Sequence, residues 1–147
     1  HYPLRRQRQM CIRDSFHSIP QAMHDAGDPY RSECERTAQL LSRRLDLPDG
    51  LAQLTFQSVF GPAAWIGPAT IDTVGDLGRA GCPRLDVICP GFISDCLETL
   101  EEINQLNRET FTTAGGGSFH YIPWGNDSDG AIAALAQQAR KVLAGWI

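Results

Sequence analysis

The sequence predicts an α/β fold: three layers, with a mainly parallel four-stranded sheet flanked by helices. Two observations predict it. Short β-branched or aromatic runs alternate with helical periodicities. Pro, Gly and Asp clusters separate them at regular intervals. Strands that alternate with helices imply βαβ crossovers.

The elements follow in chain order. A first strand is expected before Ser15, because Ser15-Phe16-His17-Ser18 reads as a strand end entering a loop. Residues 1–14 fit this poorly: they are rich in Arg and Gln, with Met10-Cys11-Ile12 as their apolar run. They are read as a poor first strand, a disordered lead or foreign sequence, and are set apart from a domain spanning residues 15–147. Asp28-Pro29 starts a helix, an N-cap acceptor followed by Pro at the first helical position. Cys34, Ala38, Leu41 and Leu45 lie on one face of it, and Leu47-Pro48-Asp49-Gly50 stops it. Residues 54–60 alternate as a strand, with Leu54, Phe56, Ser58 and Phe60 on one face. Thr70 caps a helix carrying Ile71, Val74 and Leu77 that ends at Gly81. Residues 85–89 form a short buried strand. Asp95 and Glu98 make a capping-box-like pair opening a long helix to about Ala114, where three glycines break it. Residues 119–122 are a strand. From Asp129 a last helix puts Ile132, Leu135, Ala139, Leu143 and Trp146 on one side.

Composition narrows the function classes. The 147 residues fit one domain, with 42% hydrophobic and 20% charged residues. No apolar run approaches the roughly 20 residues of a membrane span, and no signal-peptide core is visible near the start. Net charge is −4. Four arginines precede Asp14; from there on, 9 basic residues face 17 acidic ones. An acidic body argues against a nucleic-acid binder, which needs a basic stripe. Five scattered cysteines without a C-x-x-C suggest free thiols in a reducing cytosol.

In open parallel sheets, ligands bind beyond the carboxyl ends of the strands. That rule collects His17, Trp65, Phe92 and Asp95 at one edge. Asp95, Glu98 and Glu102 share a helix face at spacings of 3 and 4. Their spacing alone is equally compatible with a solvated first turn and with a relay for a divalent cation. His17, at the same edge, can take a proton or bind a metal near neutral pH. Trp65 and Phe92, in Gly- and Pro-flanked loops, suit local core or the wall of a flat ligand.

Six segments in order resemble ferrochelatase, the enzyme that inserts ferrous iron into a porphyrin. They are Ser15-Phe16-His17-Ser18-Ile19-Pro20, Gly27-Asp28-Pro29-Tyr30, Phe56-Gln57-Ser58, Trp65-Ile66-Gly67-Pro68 with Thr70, Pro90-Gly91-Phe92, and the run from Asp95 to Glu102. The order resembles the family's second half, and Asp95-Cys96-Leu97-Glu98-Thr99-Leu100 its bacterial form, read as the protoporphyrin ferrochelatase although the motif does not separate protoporphyrin from coproporphyrin. The resemblance implies one of two similar domains around a porphyrin cleft. It implies His17 and Glu98 as the catalytic pair. It implies His17, Glu98, Asp95 and Glu102 as metal ligands, and Trp65, Phe92, Ser18 and Pro20 as porphyrin contacts. Ferrous iron is then a substrate. No cysteine-bearing extension follows Ile147, so the iron–sulfur cluster of some relatives is not expected. Val59 stands where the family usually has Lys or Arg. The implied partners are a porphyrin and the missing N-terminal half or a second copy, in the cytoplasm, with a peripheral membrane contact left open. Two alternatives remain: a half-size chelatase that dimerises, and a tetrapyrrole- or metal-binding module without turnover.

Overall fold

A computed structural model describes residues 11–146. Its centre is a four-stranded sheet built from β1 (Cys11–His17), β2 (Ala52–Gln57), β3 (Arg84–Ile88) and β4 (Ser118–Ile122). The order is β2-β1-β3-β4 and all three pairings are parallel. The expected α/β class is therefore observed. The helices are α1 (Gln21–Asp25), α2 (Tyr30–Arg44), α3 (Thr70–Arg79), a π-helix (Glu98–Asn107), α4 (Arg108–Thr113) and α5 (Asp129–Val142).

Register assigns each strand residue to a face. Phe16 lies beside Phe56, and Cys11 beside Leu85. Even positions of β1 and β2 therefore face α2, where Phe16, Phe56, Cys34 and Ile66 form one buried cluster. Odd positions face the other layer, where Leu85, Val87, Phe119 and Tyr121 pack with Val74 of α3, Ile103 of the π-helix and Phe111 of α4. α3 and α4 approach closely at Gly78, where a Cβ would stand 2.5 Å from the Phe111 carbonyl oxygen.

The structure moves several expected boundaries. β1 begins at Cys11, so residues 11–14 of the expected lead are strand and pair with both β2 and β3. Residues 1–10 of that lead lie outside the described residues. Strand pairing is a main-chain interaction, and here it recruits Arg13 and Asp14, 3% and 2% exposed, despite their charge. β2 ends at Gln57 rather than residue 60, because Ser58 turns out of the strand at φ +65°. Thr70 is not the cap of α3. Ala69 holds that position, and the Thr70 hydroxyl is buried against Ser15 and Thr55. Asp28 still serves α2, accepting from the Tyr30 N–H at 2.8 Å. The long helix expected to Ala114 is mostly π-helix, with i→i+5 hydrogen bonding, and reaches Thr113 through α4. Of the expected stripe, Ile132, Leu135 and Ala139 lie on α5, while Leu143 and Trp146 lie beyond its end at Val142, and no residue of α5 is buried.

Candidate functional site

The site lies at the carboxyl ends of β1 and β2, against the first turn of the π-helix. His17 ends β1 and is half-buried. Its Nδ1 is 2.7 Å from the Ser18 carbonyl oxygen. A carbonyl only accepts, so Nδ1 carries a proton, and in the neutral ring the lone pair is on Nε2. An aromatic series continues from the imidazole. Phe60 meets it edge-on at 6.5 Å, and Trp65 meets Phe60 edge-on at 5.4 Å. The Trp65 indole donates to the Phe60 carbonyl at 3.0 Å, which holds this loop to the edge.

Glu98 is the first residue of the π-helix and is half-buried. A hydrogen bond from Cys96 and one from its own backbone N–H hold its carboxyl below the usual range. The Glu98 carbonyl oxygen accepts from Gln57 Nε2 at 3.0 Å.

The other two acids of the expected ligand line are engaged elsewhere. Glu102 accepts from the Ser58 N–H and hydroxyl, one per oxygen, each at 2.7 Å. Asp95 accepts from the Tyr121 hydroxyl, Thr99 and the Trp124 N–H at one oxygen, and from Asn126 Nδ2 at the other. Burial works against its charge, but these donors outweigh burial and hold the Asp95 carboxyl below its usual range. Asp95 thus ties the loop after β4 to the π-helix, and Glu102 ties the end of β2 to it. Spacing on a helix face indicates neighbours along the helix and says nothing about donors from other strands. Among the described residues, no group of three or more His, Cys, Asp or Glu side chains is placed to hold a metal ion.

The expected porphyrin contacts separate in the same way. Trp65 is half-buried in the aromatic series and bridges to Pro20. Ser18 is 1% exposed and donates to the Ile66 carbonyl at 2.9 Å, so it braces the loop rather than facing a cleft. Phe92 packs against the core formed by β3, β4 and the helices. Sequence reading assigned Phe60 to a strand. Its position before the Gly61-Pro62 turn was the available signal. At 65% exposed, it rims a groove of about 480 Å³ that also takes in Ser58, Leu97, Glu98, Glu102 and Leu106. A larger cavity of about 720 Å³ lies at the amino end of β2, under α2, and contains none of the residues expected at the site.

The family model described as Ferrochelatase matches residues 4–143. The chain belongs to the ferrochelatase family. Among ferrochelatase relatives, it is 54% identical over 133 residues to that of Aromatoleum aromaticum and 51% identical over 132 residues to that of Dechloromonas aromatica. It is 50% identical over 132 residues to the ferrochelatase of Neisseria meningitidis serogroup C. Each match covers 90% of this chain, but only 36%, 36% and 39% of those relatives. The chain thus spans less than two fifths of the ferrochelatases it matches. The ferrochelatase match begins inside the lead that the sequence had set apart, in keeping with β1 starting at Cys11. No helix among the described residues is long and apolar enough to cross a membrane.

Proposed function

We propose that this chain is the C-terminal domain of a bacterial protoporphyrin ferrochelatase and supplies His17 and Glu98 to the insertion of ferrous iron. The observation that carries the reading is that the Ser18 carbonyl engages His17 Nδ1, which leaves Nε2 for a proton or an ion, at the sheet edge where Gln57 of the neighbouring strand reaches the main chain of Glu98. Metallation releases the two pyrrole N–H protons as one divalent iron enters. His17 Nε2 can accept a proton or ligate the ion, and Glu98 offers a hard oxygen to the same ion. Trp65 and Phe60 supply apolar surface for the macrocycle at this edge. Asp95 and Glu102 brace the π-helix and leave the ion to His17 and Glu98. The rest of the protein supplies the other wall of the cleft, and the reaction takes place in the cytoplasm.

The test is zinc- or iron-porphyrin formation by the full-length enzyme carrying this domain. His17→Ala and Glu98→Gln should each lower kcat by about 100-fold or more, the scale of a lost acid–base group. Activity unchanged in both variants would overturn the reading. The unburied stripe of α5 favours a second reading, in which two copies of this chain rebuild a cleft. Sedimentation distinguishes them: a tight symmetric dimer that metallates porphyrin on its own supports the second reading. Porphyrin binding that survives loss of both His17 and Glu98, with no metallation by the intact chain, would indicate a binding module instead.

A further inference from the structure

We infer that Gln57 is a positioning residue that sets Glu98 against His17 through the main chain of the π-helix. The inference rests on the reading that His17 and Glu98 serve one ion. Gln57 is 2% exposed, and a buried amide is costly unless its polar atoms are paired. Here they are paired with three different elements. Its Oε1 accepts from the Ser15 hydroxyl of β1 at 2.7 Å and from the Cys89 thiol after β3 at 3.4 Å. Its Nε2 donates to the carbonyl oxygen of Glu98 at 3.0 Å.

The register makes this arrangement specific. Gln57 lies directly beside His17 in the β1–β2 pairing, and Ser15 points to the same face two residues earlier. One amide therefore joins the strand that carries the imidazole to the residue that carries the carboxylate. The next residue adds a second anchor, because Ser58 donates twice to Glu102 one turn further along the π-helix. A single anchor would let the helix pivot. Two anchors four residues apart fix both its distance from β1 and its rotation. Gln57 touches neither carboxylate nor imidazole, so its role is to orient the residues that do. Groups of this kind typically alter metal affinity by 10–100-fold.

Co2+ alone is the probe, because its visible absorption reports ligand geometry. The chain is titrated with Co2+ as the unaltered protein and as His17→Ala, Gln57→Leu and Thr55→Val. Thr55 belongs to the adjoining Ser15–Thr70–Thr55 hydroxyl chain and does not reach Glu98. The expected result is a His17-dependent band in the unaltered chain. Gln57→Leu should bind Co2+ at least tenfold more weakly with a shifted band. Thr55→Val should melt earlier but bind as the unaltered chain does. If Gln57→Leu fails to melt cooperatively, Gln57→Met, closer in volume, takes its place. Equal affinity in the Gln57 variant overturns the inference, as does a loss that merely tracks melting temperature across both variants. Absence of any His17-dependent band overturns the underlying reading and the inference with it.

Discussion

Ser58 and Glu102 are joined by two hydrogen bonds, each 2.7 Å long, and the serine holds a left-handed backbone at φ +65°. For a residue other than glycine that conformation costs roughly 1–2 kcal/mol, and the carboxylate across the groove offsets it. Removing the acceptor leaves the strain in place. Glu102→Ala should therefore destabilise the fold by about 2–3 kcal/mol in urea unfolding. Adding Ser58→Gly should recover about 1 kcal/mol, since glycine adopts positive φ freely. Equal stability of the single and double variants would show that the turn is not strained.

Arg13 and Asp14 are charged residues in the middle of a sheet. Arg13 Nη1 donates to the Ile12 carbonyl, while its buried Nε has no partner. As consecutive strand residues, Arg13 and Asp14 face opposite sides of the sheet, and a buried charge that lacks a salt-bridge partner costs stability. The double substitution Arg13→Leu, Asp14→Val should stabilise the fold, seen as a higher urea midpoint.

Asp14 also makes stability depend on pH. Burial raises its carboxyl pKa to about 6, and the Arg13 charge only partly opposes this. The folded chain then binds more protons than the unfolded chain between about pH 4 and pH 6. Stability must fall as pH rises across that window, by an amount of about 3 kcal/mol, and stay flat above it. Asp14→Asn should remove this slope from melting curves recorded between pH 4 and pH 7.

Asp95 acts with the opposite sign. Its carboxyl is held low in the folded chain, so its contribution is present above about pH 4 and is lost as pH falls through the lowered value. Asp95→Ala should cost about 2 kcal/mol at pH 7, because the Tyr121 hydroxyl and the Asn126 amide lose a charged partner. The cost should shrink in acid, as measured by urea unfolding at pH 7 and pH 3.

The apolar stripe of α5 has no cover among the described residues. Leu135 and Leu143 are 42% exposed, and Trp146 is 87% exposed. Leu135→Lys should leave stability within about 0.5 kcal/mol of the original and reduce self-association in sedimentation velocity. An unchanged sedimentation profile would show that the stripe does not drive association.

Much of this architecture was legible in the sequence, because helix and strand periods and turn residues are local signals. The α2 face of Cys34 and Ala38 and the strand at Leu85–Val87 are examples, and so are His17 and Glu98 at the sheet edge. The start of β1 was hidden because Arg13 and Asp14 break the apolar pattern, while the pairing that recruits them is long-range. The π-helix was hidden because its side chains also satisfy an α-helical pattern over a few turns. The double engagement of Asp95 and Glu102 was hidden because their donors, Tyr121, Asn126 and Ser58, come from distant strands and loops.

The central place of β1 has a consequence for biosynthesis. It leaves the ribosome before either neighbour, and its register partners begin at Ala52 and Leu85. Until those segments are translated it must wait with both edges bare, the state in which nascent chains coalesce with one another. Charged side chains within an unpaired strand are gatekeepers against that fate. The same Arg13 and Asp14 that burden the finished fold would then protect the strand while it waits unpaired.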